Sequence, residues 1–205
     1  MFVRHIHRAT ARLNYFLMLN QKQFCDRATR ELREIGTQLQ VLLADRDLYR
    51  KLESEVIAPN SSLASSNNLY LPMIRAAYTD ATTMRLRRLL APDADLSLRR
   101  LLVQFSEYPE LLDDKLTGKE LTADVSDLDK AATVLKEQLE PHFSSRERTS
   151  AALDTTNREL DRAIDLLADC AKRYYWIVSD SFLDLDSAES SDPLAIFHTP
   201  WIEPK

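Results

Sequence analysis

The stretch "ATRELREIGTQLQVL", residues 28–42, decides the fold class. Its apolar side chains recur in alternating steps of four and three residues, at Ala28, Leu32, Ile35, Leu39 and Leu42. An α-helix turns once every 3.6 residues, so this spacing puts all five on one helix face. The stretch therefore predicts an amphipathic helix that buries one side.

The same helical period extends beyond this stretch in both directions, from Ile6 to Val56. The pattern predicts either one very long helix or two helices that bend near Gly36 or Asp45. We expect the helix to have ended by Pro59, because proline interrupts helical hydrogen bonding.

Shorter helical patterns follow. We expect a second helix from near Asn68 to Pro92, and a shorter one that is capped by Asp95 or Ser97. It would hold Leu98, Leu101, Leu102 and Phe105.

Two capping sequences predict the starts of the last helices. Residues 126–129, Ser-Asp-Leu-Asp, are expected to open a helix that Pro141 stops. Thr156 and Glu159 form a capping box that is expected to open the last long helix.

The composition agrees with an all-α helical bundle. The chain has 205 residues, 44% of them hydrophobic and 29% charged, which is typical of globular proteins. It has two glycines, whereas sheets depend on glycine-rich turns. We expect one helical domain over residues 1–183 and a C-terminal tail over residues 184–205. The tail is acidic and then apolar, contains prolines, and is expected to pack on the bundle or on a partner.

Charge and hydropathy limit the possible locations and partners. The net charge of −5 argues against a generally cationic nucleic-acid-binding surface, although it leaves room for a local basic cleft. The N-terminus lacks the apolar core of a signal peptide, and no apolar run approaches the length of a membrane span. Cys25 and Cys170 show no metal-binding spacing. We expect a soluble cytoplasmic protein with two free thiols and no membrane contact.

The chain contains no Gly-rich phosphate loop, no GxSxG and no HExxH motif. The nearest approach to a carboxylate–histidine metal site is Glu137, Glu140 and His142. Its spacing differs from Glu-x-x-His, and Pro141 interrupts the helix. We therefore expect neither a metal nor a cofactor.

A basic cluster lies on the second predicted helix and the one after it. Its candidate RNA-binding residues are Arg85, Arg88, Arg99 and Arg100, with Arg75 and Arg87 nearby. A groove lined by these side chains would bind phosphates. The alternative is a solvent-exposed face whose arginines pair with Asp80, Asp93 and Asp95.

Three segments, residues 78–102, 146–154 and 157–175, together resemble the HEPN superfamily of helical domains. The resemblance is to the branch associated with bacterial abortive-infection systems. Many HEPN proteins are metal-independent endoribonucleases whose active site forms between two protomers. The resemblance therefore implies a HEPN-like helical bundle, a homodimer, RNA as a substrate and a cognate inhibitor protein as a further partner.

The motif of these nucleases is an arginine followed, after about four to six residues, by a histidine. The histidine moves the proton of the attacking ribose 2′-hydroxyl, and the arginine stabilises charge on the phosphate. By this resemblance Arg146 is the motif arginine, Arg148 assists it, and Ala152 occupies the position of the histidine.

No histidine of this chain follows an arginine at the motif spacing; the four are His5, His7, His142 and His198. The chain as given is therefore expected to be catalytically inactive. Either it is a naturally degenerate member, or the histidine has been replaced; if residue 152 is natively histidine, an RNA endonuclease is implied. The alternatives are a charged connection between two helices at this point and a non-catalytic helical protein-interaction module.

The aromatic residues of the first and last predicted helices also predict a homodimer. These are Phe16, Phe24, Tyr174, Tyr175 and Trp176. A monomer would have difficulty burying all of them, since they lie on more than one helix face. We expect Arg146 and Ala152 to lie near the dimer axis or beside a cleft at it.

Overall fold

All of the regular structure in the described chain is helical. The computed structural model describes the backbone of residues 3–60, 70–108, 115–144 and 150–186, and the side chains of residues 21–60, 71–108, 115–137 and 157–186. The elements are α1 (Val3–Lys51), a π-helical turn (Leu52–Ile57), α2 (Tyr70–Leu90), α3 (Leu98–Phe105), α4 (Gly118–Ser144) and α5 (Ser150–Ser179). No strand occurs in these ranges, and the all-α prediction is confirmed.

The first element is one continuous helix of 49 residues that passes through both Gly36 and Asp45 without interruption. At 1.5 Å per residue it is about 74 Å long. Gly36 serves close packing: a Cβ atom built there would lie 3.0 Å from Cδ1 of Leu183. The glycine therefore lets a later segment approach the helix backbone.

The face predicted from residues 28–42 forms the centre of the core. Ala28, Leu32, Ile35, Leu39 and Leu42 are all fully buried. Helices α1 and α5 pack along each other more extensively than any other pair in the described chain. The α5 residues in the core are Leu160, Ala163, Ile164, Leu167, Ala168, Cys170, Ala171, Tyr174, Tyr175 and Ile177. Burying one leucine side chain contributes about 1.5–3 kcal/mol, so this seam dominates the stability of the bundle.

Ser97 joins the end of α2 to the start of α3. Its Oγ accepts a hydrogen bond from the backbone N–H of Arg100 at 3.2 Å and donates one to the carbonyl of Leu89, also at 3.2 Å. The Ser97 backbone is extended, as at a helix N-cap. Of the two predicted caps, Ser97 is the one observed.

Helix α4 begins at Gly118, eight residues before the predicted start at Ser126. The cap is a reciprocal pair: Thr117 Oγ1 accepts from the Glu120 backbone N–H at 3.3 Å, and the Glu120 carboxylate accepts from the Thr117 backbone N–H at 2.8 Å. A capping box was therefore correctly expected for this helix but was assigned to the wrong residues. Pro141 does not stop α4, which continues to Ser144, so the expected end of this helix was wrong.

Helix α5 begins at Ser150, six residues before the predicted capping box. Thr156 and Glu159 therefore lie inside the helix. The sequence Ala151-Ala152-Leu153 contains two of the strongest helix-forming residue types, which favours the earlier start.

A buried polar cluster joins α4 to α5. Asp124 accepts hydrogen bonds from Arg173 Nη1 at 2.9 and 3.1 Å and from the Tyr174 hydroxyl at 3.0 Å. Tyr174 is fully buried, and burial, followed by the charge of Asp124, raises the pKa of its hydroxyl. Cys170, also buried, has its pKa raised to about 12, mainly by burial. These groups stabilise the helix pair and offer no ionised nucleophile at neutral pH.

The first residues of the predicted tail pack on α1. Leu185 is buried, and the Asp184 carbonyl accepts a hydrogen bond from Gln40 Nε2 at 3.1 Å. This agrees with the expected packing on the bundle for residues 184–186. The rest of the tail, residues 187–205, lies outside the described residues.

Most of the aromatic residues from which a dimer was predicted do not need a partner to be buried. Phe24, Tyr174 and Tyr175 are buried within the single chain. Phe24 contacts the ring of Phe105 edge-on, with centroids 5.1 Å apart. Trp176 remains 38% exposed, and the side chain of Phe16 is outside the described residues. The bundle thus buries three of the five aromatics without a partner.

Candidate functional site

Of the three predicted catalytic residues, Ala152 falls in a described element, α5. Arg146 and Arg148 lie outside the described residues, as do the side chains of all four histidines. Ala152 is the third residue of α5, where the backbone alone is described. Its position is seven residues before Glu159 and eleven before Ala163, which places the three positions on one side of the helix.

Three of the four predicted RNA-binding arginines form ion pairs between helices. Arg85 pairs with Asp45 of α1, and Arg99 pairs with Asp129 of α4. Arg100 pairs with Glu31 of α1 at 3.0 Å and also donates to the Asp95 carbonyl.

The carboxylates in these pairs are thus not the predicted Asp80, Asp93 and Asp95. Arg88 is exposed on α2. The four arginines are distributed over two helices and three interhelical contacts, and most of their charge is already balanced.

A pocket lies where the end of α1, the π-helical turn, α2 and α5 meet. Its volume is about 430 Å³, and it is lined by Tyr49, Arg50, Glu53, Ser54, Ala58, Tyr78, Asn157 and Asp161. The π-helical turn forms one wall of the pocket. Its wider backbone is seen in the Ala58 N–H, which donates to the Glu53 carbonyl five residues back at 2.9 Å. Such wide turns are frequent at functional sites.

Glu53 connects the parts of this pocket. Its carboxylate accepts hydrogen bonds from Arg75 Nε at 2.7 Å, from Arg75 Nη2 at 2.8 Å and from the Tyr49 hydroxyl at 3.0 Å. The bidentate arginine lowers the pKa of the Glu53 carboxyl, and the Tyr49 hydrogen bond acts in the same direction. Glu53 is therefore ionised at neutral pH and has its hydrogen-bonding capacity largely used.

Two stacked tyrosines form the aromatic part of the pocket. The rings of Tyr49 and Tyr78 are parallel within 2°, with centroids 4.1 Å apart. Burial, followed by the charge of Glu53, raises the pKa of Tyr49 to about 12; burial, followed by the charge of Asp161, raises that of Tyr78 to about 12. Both hydroxyls therefore remain protonated at physiological pH, and that of Tyr49 donates to the Glu53 carboxylate.

Asn157 ties α5 to this aromatic pair. Its Nδ2 donates to the Tyr49 hydroxyl at 3.2 Å, and its Oδ1 accepts from Thr79 Oγ1 at 3.3 Å. One turn further along α5, Asp161 Oδ2 accepts from Arg50 Nη2 at 2.7 Å. The pocket is therefore electrically balanced, with two arginines and two carboxylates.

The sequence did not identify this pocket as a site. Tyr78 and Asn157 were nevertheless the first residues of two of the three segments that resemble HEPN proteins. The structure brings them into one pocket although 79 positions separate them. The spacing of Tyr49 and Glu53, one helical turn apart, was the available local signal.

The described groups of this pocket are hydrogen-bonding and aromatic side chains. No group of three or more His, Cys, Asp or Glu side chains able to hold a metal occurs in the part of the chain that the structure describes. The tyrosine hydroxyls have raised pKa values, which disfavours nucleophilic attack. The arrangement can orient a bound group through hydrogen bonds and an aromatic surface.

Comparisons with known proteins supply no relative. No family model, curated protein or solved structure matches the chain. No helix in the described ranges is both long and apolar enough to span a membrane.

Proposed function

We propose that the chain is a HEPN-like protein related to the metal-independent endoribonuclease toxins and phage-defence effectors of abortive-infection systems. In this proposal it is a cytoplasmic homodimer that acts on RNA and is restrained by a cognate inhibitor protein. It does not cleave RNA with Ala152 at the motif position.

One observation carries this proposal: the pocket joins the first residues of two resembling segments, Tyr78 and Asn157. Ala152 lies on the same helix as Asn157, five residues nearer its start, which is about 7.5 Å along the axis. A phosphate near this end of α5 is favoured, because the N–H groups of a first helical turn attract anions.

The proposed chemistry requires a base at residue 152. A histidine there would take the proton of the ribose 2′-hydroxyl as the oxygen attacks the adjacent phosphorus, and would then protonate the leaving 5′-oxygen. Arg146, with Arg148 beside it, would stabilise the phosphate charge that develops in the transition state. Alanine can do neither proton transfer.

The test is the variant Ala152→His, assayed for cleavage of total RNA in the presence of a chelator. A general acid/base contributes about 10²–10⁴-fold to rate, so cleavage should appear in the variant and be absent from the chain as given. Ala151→His is the matched control, since it adds the same side chain about 100° around the helix. Adding Arg146→Ala to the active variant should abolish cleavage. A folded, dimeric Ala152→His protein that leaves RNA intact would refute the proposal.

The second candidate, a non-catalytic protein-interaction module, is favoured by the outer face of α2. Met73 and Met84 are 60% and 71% exposed, and Ala77 and Ala81 between them are also exposed. These four positions follow one another in steps of four, four and three, which forms an apolar stripe.

If this stripe holds a second copy of the chain, Met84→Glu should reduce the mass measured by light scattering from dimer to monomer. Val103→Glu, at an exposed position on α3, should leave the mass unchanged. A monomer at micromolar concentration before any substitution would reject self-association through α2.

A further inference from the structure

We propose that the pocket between α1, α2 and α5 is a nucleobase site that receives one unpaired base of a single-stranded RNA. This deepens the proposed function, on which it rests, by giving the RNA a point of recognition separate from residue 152.

The aromatic pair supplies the surface for such a base. Tyr49 and Tyr78 are partly buried, line the pocket and are already stacked at 4.1 Å. Hydrogen bonds hold Tyr49 in place, from Asn157 and to Glu53, so little conformational entropy is lost when a further ring is added to the stack. Stacking of a base on an aromatic side chain contributes about 1–3 kcal/mol.

The hydrogen-bonding groups that remain open determine which base edge fits. Glu53 accepts three hydrogen bonds and has little capacity left. Asp161 Oδ2 accepts from Arg50, whereas its Oδ1 has no hydrogen bond among the described residues. Asn157 uses one of its two amide N–H groups on Tyr49. The pocket therefore offers a carboxylate acceptor and an amide donor on neighbouring turns of α5.

An acceptor beside a donor matches a base edge that carries an N–H donor next to an acceptor. Adenine and cytosine present such edges, with an amino donor beside a ring nitrogen, and guanine and uracil present a ring N–H donor beside a carbonyl. All four bases can therefore bond to Asp161 and Asn157, and a preference among them has to come from stacking on the tyrosines.

The charges of the pocket predict how salt affects binding. Glu53 is neutralised by Arg75, and Asp161 by Arg50. Arg50 is 55% exposed at the rim, where it can reach one phosphate beside the bound base. Because at most one phosphate is neutralised here, the slope of log affinity against log salt contributed by this pocket should be about −0.7.

The experiment titrates the chain as given with the tetranucleotides AAAA and UUUU and measures binding by calorimetry. AAAA should bind more tightly, because a purine stacks on the tyrosines over a larger area than a pyrimidine. Tyr78→Leu should weaken AAAA binding roughly 5- to 150-fold, which is the loss of one stacked base. Tyr78→Phe, which keeps the ring, should retain most of the affinity.

Tyr108→Leu is the matched control, because Tyr108 belongs to a different aromatic stack, on Phe24 at 4.5 Å. It should leave AAAA binding unchanged. Asp161→Asn provides a second variant that leaves both tyrosines in place; it should weaken the binding of both tetranucleotides, since its amide oxygen is a weaker acceptor than the carboxylate.

The outcomes separate this proposal from the nuclease proposal. If AAAA does not bind, or binds equally to Tyr78→Leu, the base site is refuted, whatever Ala152→His does to RNA. If AAAA binding depends on Tyr78 but Ala152→His cleaves nothing, the base site stands and the nuclease relationship is wrong.

Discussion

Asp124 accepts a hydrogen bond from the hydroxyl of Tyr174, which is fully buried. The effect of Tyr174→Phe on the free energy of unfolding should therefore change sign when Asp124 is replaced by alanine. In Asp124→Ala the Arg173 guanidinium can turn to water, because its side chain is 44% exposed. The Tyr174 hydroxyl cannot, and an unsatisfied buried donor costs about 1–3 kcal/mol. With the lost charge-assisted hydrogen bonds, we expect Asp124→Ala to lower the free energy of unfolding by about 3 kcal/mol.

Tyr174→Phe should then change sign between backgrounds. With Asp124 present, it removes one hydrogen bond to an ionised carboxylate and should destabilise the protein by about 1–2 kcal/mol. With alanine at residue 124, it removes the orphaned hydroxyl and should stabilise the protein by about 1 kcal/mol. The double variant should thus be more stable than Asp124→Ala alone.

Urea unfolding of the four proteins measures both effects, provided that the slope with denaturant stays constant. For a chain of this size, about 1 kcal/mol also shifts the melting temperature by roughly 2–4 °C. Asp127→Ala, which breaks an exposed pair with Lys130 on the same helix, is the control and should change stability by less than about 0.5 kcal/mol. Equal destabilisation by Tyr174→Phe in both backgrounds would show that the hydroxyl is not held as described.

Three further predictions concern other parts of the bundle. Ser97→Ala should lower the free energy of unfolding by about 0.5–2 kcal/mol, measured in urea, because α3 loses its cap; no change would contradict the capping role. Tyr49 and Tyr78, with pKa values raised to about 12, should stay protonated when unfolded tyrosines ionise near pH 10. Their contribution to stability is therefore complete below about pH 10 and is lost as the pH rises through 12. Titration of the tyrosinate absorbance, with and without the two Tyr→Phe substitutions, measures the pKa values of these two residues. A thiol reagent should modify the partly exposed Cys25 first and the buried Cys170 only after unfolding; equal rates would contradict the burial of Cys170.

The elements with a strong helical period were predictable from the sequence, as were the bounds of α2 and the cap of α3, whereas the starts of α4 and α5 were not. Residues 28–42 identified the buried face of α1 because a helix that buries one face has apolar residues at regular three- and four-residue spacing. The start of a helix is indicated only by one or two capping residues. Ser126 and Thr156 resemble caps as well as Thr117 does, and only the packing of the whole helix selects among them.

The candidate site was less predictable because its residues come from separate helices. Tyr49 and Asn157 are 108 residues apart, and their hydrogen bond depends on the register between α1 and α5. The basic cluster was visible in the sequence, but the partners of its arginines were not, since Asp45 and Asp129 lie 40 and 30 residues away from Arg85 and Arg99. Composition reveals which charges are present, whereas pairing is a property of the fold.

The seam between α1 and α5 joins the beginning of the chain to its end, which affects the order of events during synthesis. Arg33 bonds to the Tyr175 hydroxyl at 3.0 Å across 142 positions of sequence. At about 5–20 residues per second, a ribosome needs roughly 7–28 s to make that interval. Throughout that time α1 lacks α5, the helix with which it packs most extensively, and the leucines that α5 covers are open to chaperones or to other nascent chains. A premature stop before α5 would therefore release a long helix with much of its apolar face uncovered, which makes truncated products of this protein prone to aggregation.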